Sequence, residues 1–239
     1  MKQRVKVDSI FMIAVIAVSF LLFLFPQLYS SDQRLDQIFD FWGVVLILKG
    51  VYLRMMARAF KKNNSQQGGA LVADGIYALT RNPMYLGTFT VGAGFVLIVW
   101  PWWGIFVFAF LFYNRFIIQV KKEEAWLLKN FGEAYKKYCK DVPRIFPGLK
   151  QLRRARIKNI VKPALLFTTK EKWGWLGWPV LGLVLATLQK SVVYGNNDFM
   201  TTLETFLGAF VFFALVETIK FYLWDRIFFG VIASEAKQS

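Results

Sequence analysis

Long apolar runs alternate with short charged stretches along the whole chain, and the runs are too continuous for the interior of a water-soluble domain. A bilayer-crossing helix needs about 20 mainly apolar residues, and the pattern predicts six such spans, at about 9–29, 41–60, 84–99, 102–118, 173–193 and 201–224. Only Trp100-Pro101 separates the third span from the fourth, so those two helices are expected to be antiparallel neighbours. Gly195-Asn196-Asn197-Asp198 reads as the turn between the last two. After residue 118, Glu124, Leu127, Leu128, Phe131, Tyr135 and Tyr138 recur at helical spacing. That periodicity predicts an amphipathic helix lying against the membrane or the bundle. The first run has a basic side like a signal peptide, but no small-residue cleavage pattern follows it, so it reads as a retained helix.

The resulting class is all-α, a polytopic transmembrane helix bundle with an amphipathic helix at one face. Four regions are expected: 1–39, a first helix and loop; 40–148, a membrane core; 149–172, a basic linker; and 173–239, a two-helix extension. The chain has no internal repeat.

Composition agrees with lipid as the solvent, since 56% of residues are hydrophobic and 18% are aromatic. A formal net charge of +15 would suggest nucleic acid in a soluble protein. Here the cations cluster beside apolar spans, where they set orientation and meet anionic lipid headgroups, and no nucleic-acid partner is expected. Lys2, Arg4 and Lys6 precede the first span, Arg58, Lys61 and Lys62 end the second, and Arg153, Arg154 and Arg156 lie in the linker. Asp32, Asp36 and Asp40 occupy the intervening loop. Both termini are therefore expected on the cytoplasmic side, and the inner membrane of a prokaryote is the expected location.

With no histidine and the single cysteine Cys139, the chain offers no Ser-His-Asp triad, no His-ligated metal site and no disulfide within itself. The charged residues that remain sit at membrane boundaries. Arg81 stands just before the third span and Glu123-Glu124 just after the fourth, so the returning hairpin would bring them to one face. Charge kept at such a boundary is a site hypothesis. Pro83 lacks a backbone donor and biases Asn82 away from helical geometry, which predicts a helix break that turns Arg81 inward. Glu124 shares a helical face with Leu128 and Phe131, so its carboxylate wants a cationic partner. Gly92 and Gly94, two turns into the third span, would admit a ligand close to the backbone; such small residues also serve helix packing.

Gly75-Ile76-Tyr77, Arg81-Asn82-Pro83-Met84-Tyr85-Leu86-Gly87, Gly92-Ala93-Gly94, Glu123-Glu124, the stretch from Phe131 to Tyr138 and Val142-Pro143-Arg144-Ile145-Phe146-Pro147 follow one another in an order and spacing that is specific. Over residues 40–148 this resembles the isoprenylcysteine carboxyl methyltransferase and phospholipid N-methyltransferase superfamily of integral membrane enzymes.

The resemblance implies methyl transfer from S-adenosylmethionine to a lipid or lipidated small molecule. It further implies that Gly92, Gly94, Glu123 and Glu124 bind the cofactor, and that Arg81 orients an anionic acceptor or the cofactor carboxylate. Tyr77, Tyr85, Tyr135 and Arg144 would complete the walls. The family's Arg-His-Pro segment falls on Arg81, Asn82 and Pro83. Asn82 keeps hydrogen-bonding capacity but cannot titrate as imidazole does. No metal site is expected. Two other readings stay open: a nicotinamide-dependent reductase of the sterol-reductase type, which has a similar Arg-containing segment, and a catalytically degenerate membrane protein. The two added spans would provide packing, a homodimer surface or a lipid entrance.

Overall fold

The computed structural model describes residues 17–30, 32–148, 151, 173–195 and 199–235, with side chains as far as 219. Six helices are present among them: α1 over 17–23, α2 Gln33–Asn64, α3 Pro83–Val99, α4 Gly104–Asp141, α5 Gly174–Tyr194 and α6 Phe199–Glu235. The basic amino terminus, nearly all of the 149–172 linker and the turn residues 196–198 lie outside the described residues.

The molecule is a membrane helix bundle. Helix α4, helix α5 and the Phe199–Ile219 part of α6 are long and apolar enough to cross a membrane. Helix α3 is apolar but has only 17 residues, and α2 carries Asp36, Asp40, Lys49 and Arg54 within its length. Three of the six expected spans meet this length and composition among the described residues, α3 and α2 are helical at the expected places, and most of the first span lies outside the described residues.

Helix α2 begins at Gln33 rather than near 41 because its polar first turns are held from outside the helix. Asp32 caps it, accepting from the Arg34 backbone N–H at 2.8 Å, which satisfies one of the donors a helix start leaves open. Asp36 and Asp40 are buried rather than in a loop, because Gln189 and Lys190 of α5 partner them. At the other end Lys61 and Lys62 oppose the negative end of the helix dipole.

Helix α2 is the centre of the bundle. It pairs most extensively with α3 and also packs on α5 and α6. Val44, Ile47, Leu48, Val51 and Met55 along it are sealed from solvent. Close approach to α3 depends on glycines on both sides. A Cβ on Gly43 would lie 2.8 Å from the Gly94 carbonyl oxygen, and one on Gly50 would lie 2.7 Å from that of Gly87. Small residues that let two backbones approach are the usual means of helix association in lipid, where apolar burial alone gives little advantage.

Helix α3 meets α4 through aromatic rings: Phe89 stacks on Phe108 with centroids 5.7 Å apart and meets Phe112 edge-on at 5.2 Å. In the connection, Trp102 is 56% exposed, as an interfacial residue would be. Trp100 is buried instead, its indole N–H donating to Ser19 Oγ of α1 at 2.7 Å.

Helix α4 runs without a loop from its apolar half into the amphipathic half. The break in it is at Gly132, whose φ of 49° and ψ of −123° suit only glycine. This kink aims the last turns back at the loop before α3. There Tyr135, Tyr138 and Val142 bury themselves against Leu71, Ala73, Leu127, Phe131 and Cys139. The amphipathic face packs on protein and so holds the end of α4 against the start of α3.

Candidate active site

The α3–α4 hairpin brings Arg81 and Glu124 together. Arg81 Nη1 lies 3.2 Å from Glu124 Oε1, and both side chains are nearly withdrawn from solvent, at 13% and 12% exposed. The break at Pro83 is what permits this. Proline takes the first helical position, where a missing N–H costs nothing. The residue two before it is then free to leave the helix path, and the Arg81 backbone N–H donates to the Pro143 carbonyl at 2.9 Å. Asn82 supports the same crossing: its side-chain amide donates to the Arg144 carbonyl at 3.0 Å. Thr80 Oγ1 donates to that carbonyl at 3.3 Å.

Arg144 completes the cluster from the far side. Its Nε lies 3.1 Å from each oxygen of Glu124 and its Nη2 lies 2.8 Å from Oε2. These hydrogen bonds raise the Arg144 pKa further above its already high ordinary value. A fork of this kind is among the stronger charge-assisted pairings and fixes orientation as well as charge. Glu124 is thus held between two guanidinium groups. Arg81 also donates from Nη1 to Cys139 Sγ at 2.7 Å.

Beside this cluster lies a cavity of about 440 Å³ lined by Arg81, Glu124, Leu128, Tyr135, Cys139 and Arg144 together with Ala125, Lys136 and Lys140. Pockets that hold small molecules and cofactors run from about 300 to 1,000 Å³, mostly apolar with a few placed polar groups. Two buried polar atoms in the lining, Tyr135 Oη and Arg81 Nε, find no hydrogen-bond partner. Unpaired buried donors of this kind are costly unless a ligand or water meets them. The lining combines guanidinium and ammonium groups, one carboxylate and apolar wall, which fits a zwitterionic molecule bearing a carboxylate and a cationic centre.

The other expected site residues are placed differently. Glu123 is adjacent to Glu124 in sequence but roughly 100° away around the helix. It faces α3, accepting from Tyr85 Oη at 2.7 Å and from Gln119 Nε2 at 2.8 Å. Tyr85 therefore meets Glu123 outside the cavity lining. Tyr77 is buried at the loop before α3, its hydroxyl donating to the Ala57 carbonyl at 3.4 Å and its own carbonyl accepting from Tyr138 Oη at 2.7 Å. Burial raises the Tyr77 pKa above the ordinary phenol value, so it stays a neutral donor near neutral pH. Gly94 is occupied by α2: a Cβ there would sit 2.5 Å from the Gly43 oxygen and 2.7 Å from Ile47 Cγ1. At Gly92 a Cβ would collide with the Phe108 ring. Neither glycine is among the residues lining the cavity.

Cys139, Lys136 and Lys140 were not legible as site residues from chemistry. Cys139 lies one helical turn beyond Tyr135, and the periodicity that predicts the face of Tyr135 extends to it.

The site so defined is a charged cavity at the end of a membrane helix hairpin, closed by the chain that follows it. Residues 39–134 match the family described as phospholipid methyltransferase. Over that segment the chain is similar to phospholipid and isoprenylcysteine methyltransferases. The protein-S-isoprenylcysteine O-methyltransferase of Schizosaccharomyces pombe is 35% identical over 77 residues, covering 32% of this chain and 33% of that protein. The protein of the same name from Saccharomyces cerevisiae is 29% identical over 128 residues, 48% and 52% of the two chains. The steroid 5-alpha-reductase DET2 of Solanum lycopersicum is 28% identical over 125 residues, 51% and 47%. The chain thus spans between a third and about half of the length of these curated relatives. No solved structure matches the chain significantly.

Proposed function

We propose that this protein transfers a methyl group from S-adenosylmethionine to a lipid or lipidated small molecule at the cytoplasmic face of a prokaryotic inner membrane. The observation that carries the reading is the Arg81–Glu124–Arg144 cluster beside the 440 Å³ cavity, in a chain whose 39–134 segment matches the phospholipid methyltransferase family.

S-adenosylmethionine, when bound, supplies a methyl group on a sulfonium, open to direct displacement by an acceptor. The protein then needs no nucleophile of its own, which suits a chain without histidine. Its work is to bind, align and exclude water, and alignment alone is worth up to about 7–11 kcal/mol in favourable cases. Glu124 places negative charge against the cofactor's cationic groups, and the two arginines hold that carboxylate in one orientation. Arg81 retains a buried Nε and faces the cavity, where a planar fork suits a carboxylate or phosphate. Leu128 and Ala125 supply apolar wall. Phe146, 66% exposed and edge-on to Phe89, carries the loop after Arg144 toward the apolar flank of α3. That flank is the side from which a lipid acceptor would arrive.

The similarity to a steroid reductase supports a second reading, a nicotinamide-dependent enzyme. Calorimetry on detergent-solubilised protein separates the two. S-adenosylmethionine and its demethylated product are expected to bind and NADPH is not; binding of NADPH alone would overturn the methyltransferase reading.

A further inference from the structure

The Gly132 kink returns the end of α4 to the membrane boundary. Cys139 Sγ accepts from Arg81 Nη1 at 2.7 Å, and Arg81 stands two residues before the first helical residue of the apolar α3. Further along, Phe146 meets Phe89 edge-on with ring centroids 6.4 Å apart, already within α3. Lys136 and Lys140, one turn apart, lie on the chain between these depth markers or one turn before them, line the cavity and are both exposed. They are thereby held at the level of lipid headgroups rather than out in the aqueous phase.

The charges of the lining do not balance. Arg81, Lys136, Lys140 and Arg144 are set against Glu124. Both guanidinium groups already engage Glu124. Glu133, which pairs with Lys136 at 2.5 Å, is 84% exposed, and an ion pair so open to solvent contributes little. Lys140 forms no ion pair among the described residues. Ala125 and Leu128 line the same cavity, and Leu128 is left 41% exposed. Exposed cations beside exposed apolar surface at a bilayer boundary suit an amphiphile with a negative head. Lysine clusters on an amphipathic helix just beyond a membrane span attract anionic lipid headgroups, and Lys121, Lys122, Lys129 and Lys137, all exposed on α4, extend the positive field.

We propose that the mouth of this cavity, at Lys136 and Lys140, holds the headgroup of an anionic phospholipid of the surrounding bilayer, with its chains against Leu128. This lipid is a resident neighbour of the site and not the methyl acceptor, so the proposal does not depend on the methyltransferase reading.

The test is thermal unfolding of the full chain in detergent micelles with added short-chain phosphatidylglycerol, short-chain phosphatidylcholine, or glycerol phosphate as the headgroup alone. Phosphatidylglycerol is expected to raise the midpoint saturably, by about 5–10 °C at a concentration roughly 100-fold above its apparent dissociation constant, and the other two much less. Replacing both lysines, Lys136→Gln with Lys140→Gln, should raise the concentration for half the effect roughly 30-fold. Lys137→Gln, outside the lining, should move it less than Lys140→Gln does. These are exposed side chains, so the variants are expected to fold. Equal responses to the two lipids would overturn the proposal. A response to glycerol phosphate as large as that to the lipid would overturn it in favour of a free-anion site, and equal losses in Lys137→Gln and Lys140→Gln would overturn the assignment to the cavity mouth.

Discussion

Arg144 grips Glu124 by a fork, with Nη2 2.8 Å from Oε2 and Nε 3.1 Å from both oxygens, although the two residues belong to different segments on either side of the Gly132 kink. The carboxylate is thereby turned toward Arg81 rather than toward lipid. The two arginines and the acid form one unit, so their substitutions should not add.

Glu124→Gln leaves two guanidinium groups facing each other across a neutral amide. Loss of a charge-assisted hydrogen bond is worth about 1.5–3 kcal/mol, or roughly tenfold to a hundredfold in affinity. S-adenosylmethionine binding measured by calorimetry is expected to weaken by that factor. In a double-mutant cycle, Arg81→Met added to Glu124→Gln should cost far less than Arg81→Met alone; additive losses would separate the two side chains functionally.

Arg81→Lys keeps the charge but loses the planar fork and its buried Nε donor. If Arg81 orients the acceptor, turnover should fall while cofactor affinity changes little. Rates with a competent lipid acceptor, set beside calorimetry, check this. A loss of cofactor binding as large as that of Glu124→Gln would assign Arg81 to the cofactor instead.

Asn82→His should retain function, because imidazole can also donate to the Arg144 carbonyl that the Asn82 amide now reaches at 3.0 Å. Asn82→Ala removes that donor and should lower stability by about 1 kcal/mol. The decisive assay is methyl transfer to a panel of lipids: activity in the His variant and none in wild type would mark this chain as degenerate.

Gly94→Val should act on folding before it acts on ligand binding. The added side chain would press on the Gly43 carbonyl and Ile47 at the α2–α3 crossing, and overpacking of this kind costs about 1–3 kcal/mol. The expected result is a lowered thermal midpoint without ligand. An unchanged midpoint with lost S-adenosylmethionine binding would place the cofactor against Gly94.

Membrane orientation can be read by single-cysteine labelling in a Cys139→Ser background. A cysteine at position 64, beside Lys61 and Lys62, should resist an impermeant reagent on intact cells, and one at exposed position 102 should react. The reverse pattern would overturn the cytoplasmic placement of the site.

The meeting of Arg81 and Glu124 was legible because it follows from connectivity: a tight Trp100-Pro101 turn makes the flanking helices antiparallel, and residues just outside both then share a face. The separation of Glu123 from Glu124 was legible in principle from helical geometry. The company that Arg144 keeps was not, because it depends on the Gly132 kink, and a glycine in a helical pattern does not announce which way the chain will turn. The glycines of α3 show the same limit. Spacing cannot say whether an absent side chain makes room for a ligand or for the facing helix, and here α2 and Phe108 take the space.

Residue order alone points to a helical membrane protein and to where most of the described helices lie, because hydropathy, proline placement and helical periodicity act over a few turns of chain. Tertiary structure decided which polar groups were to be inside. Asp36 and Asp40 read as a loop by local preference, yet they lie in α2 because Gln189 and Lys190, some 150 residues later, approach them from α5. A buried charge is tolerable only where its partner arrives, and that arrival is a property of the packed bundle.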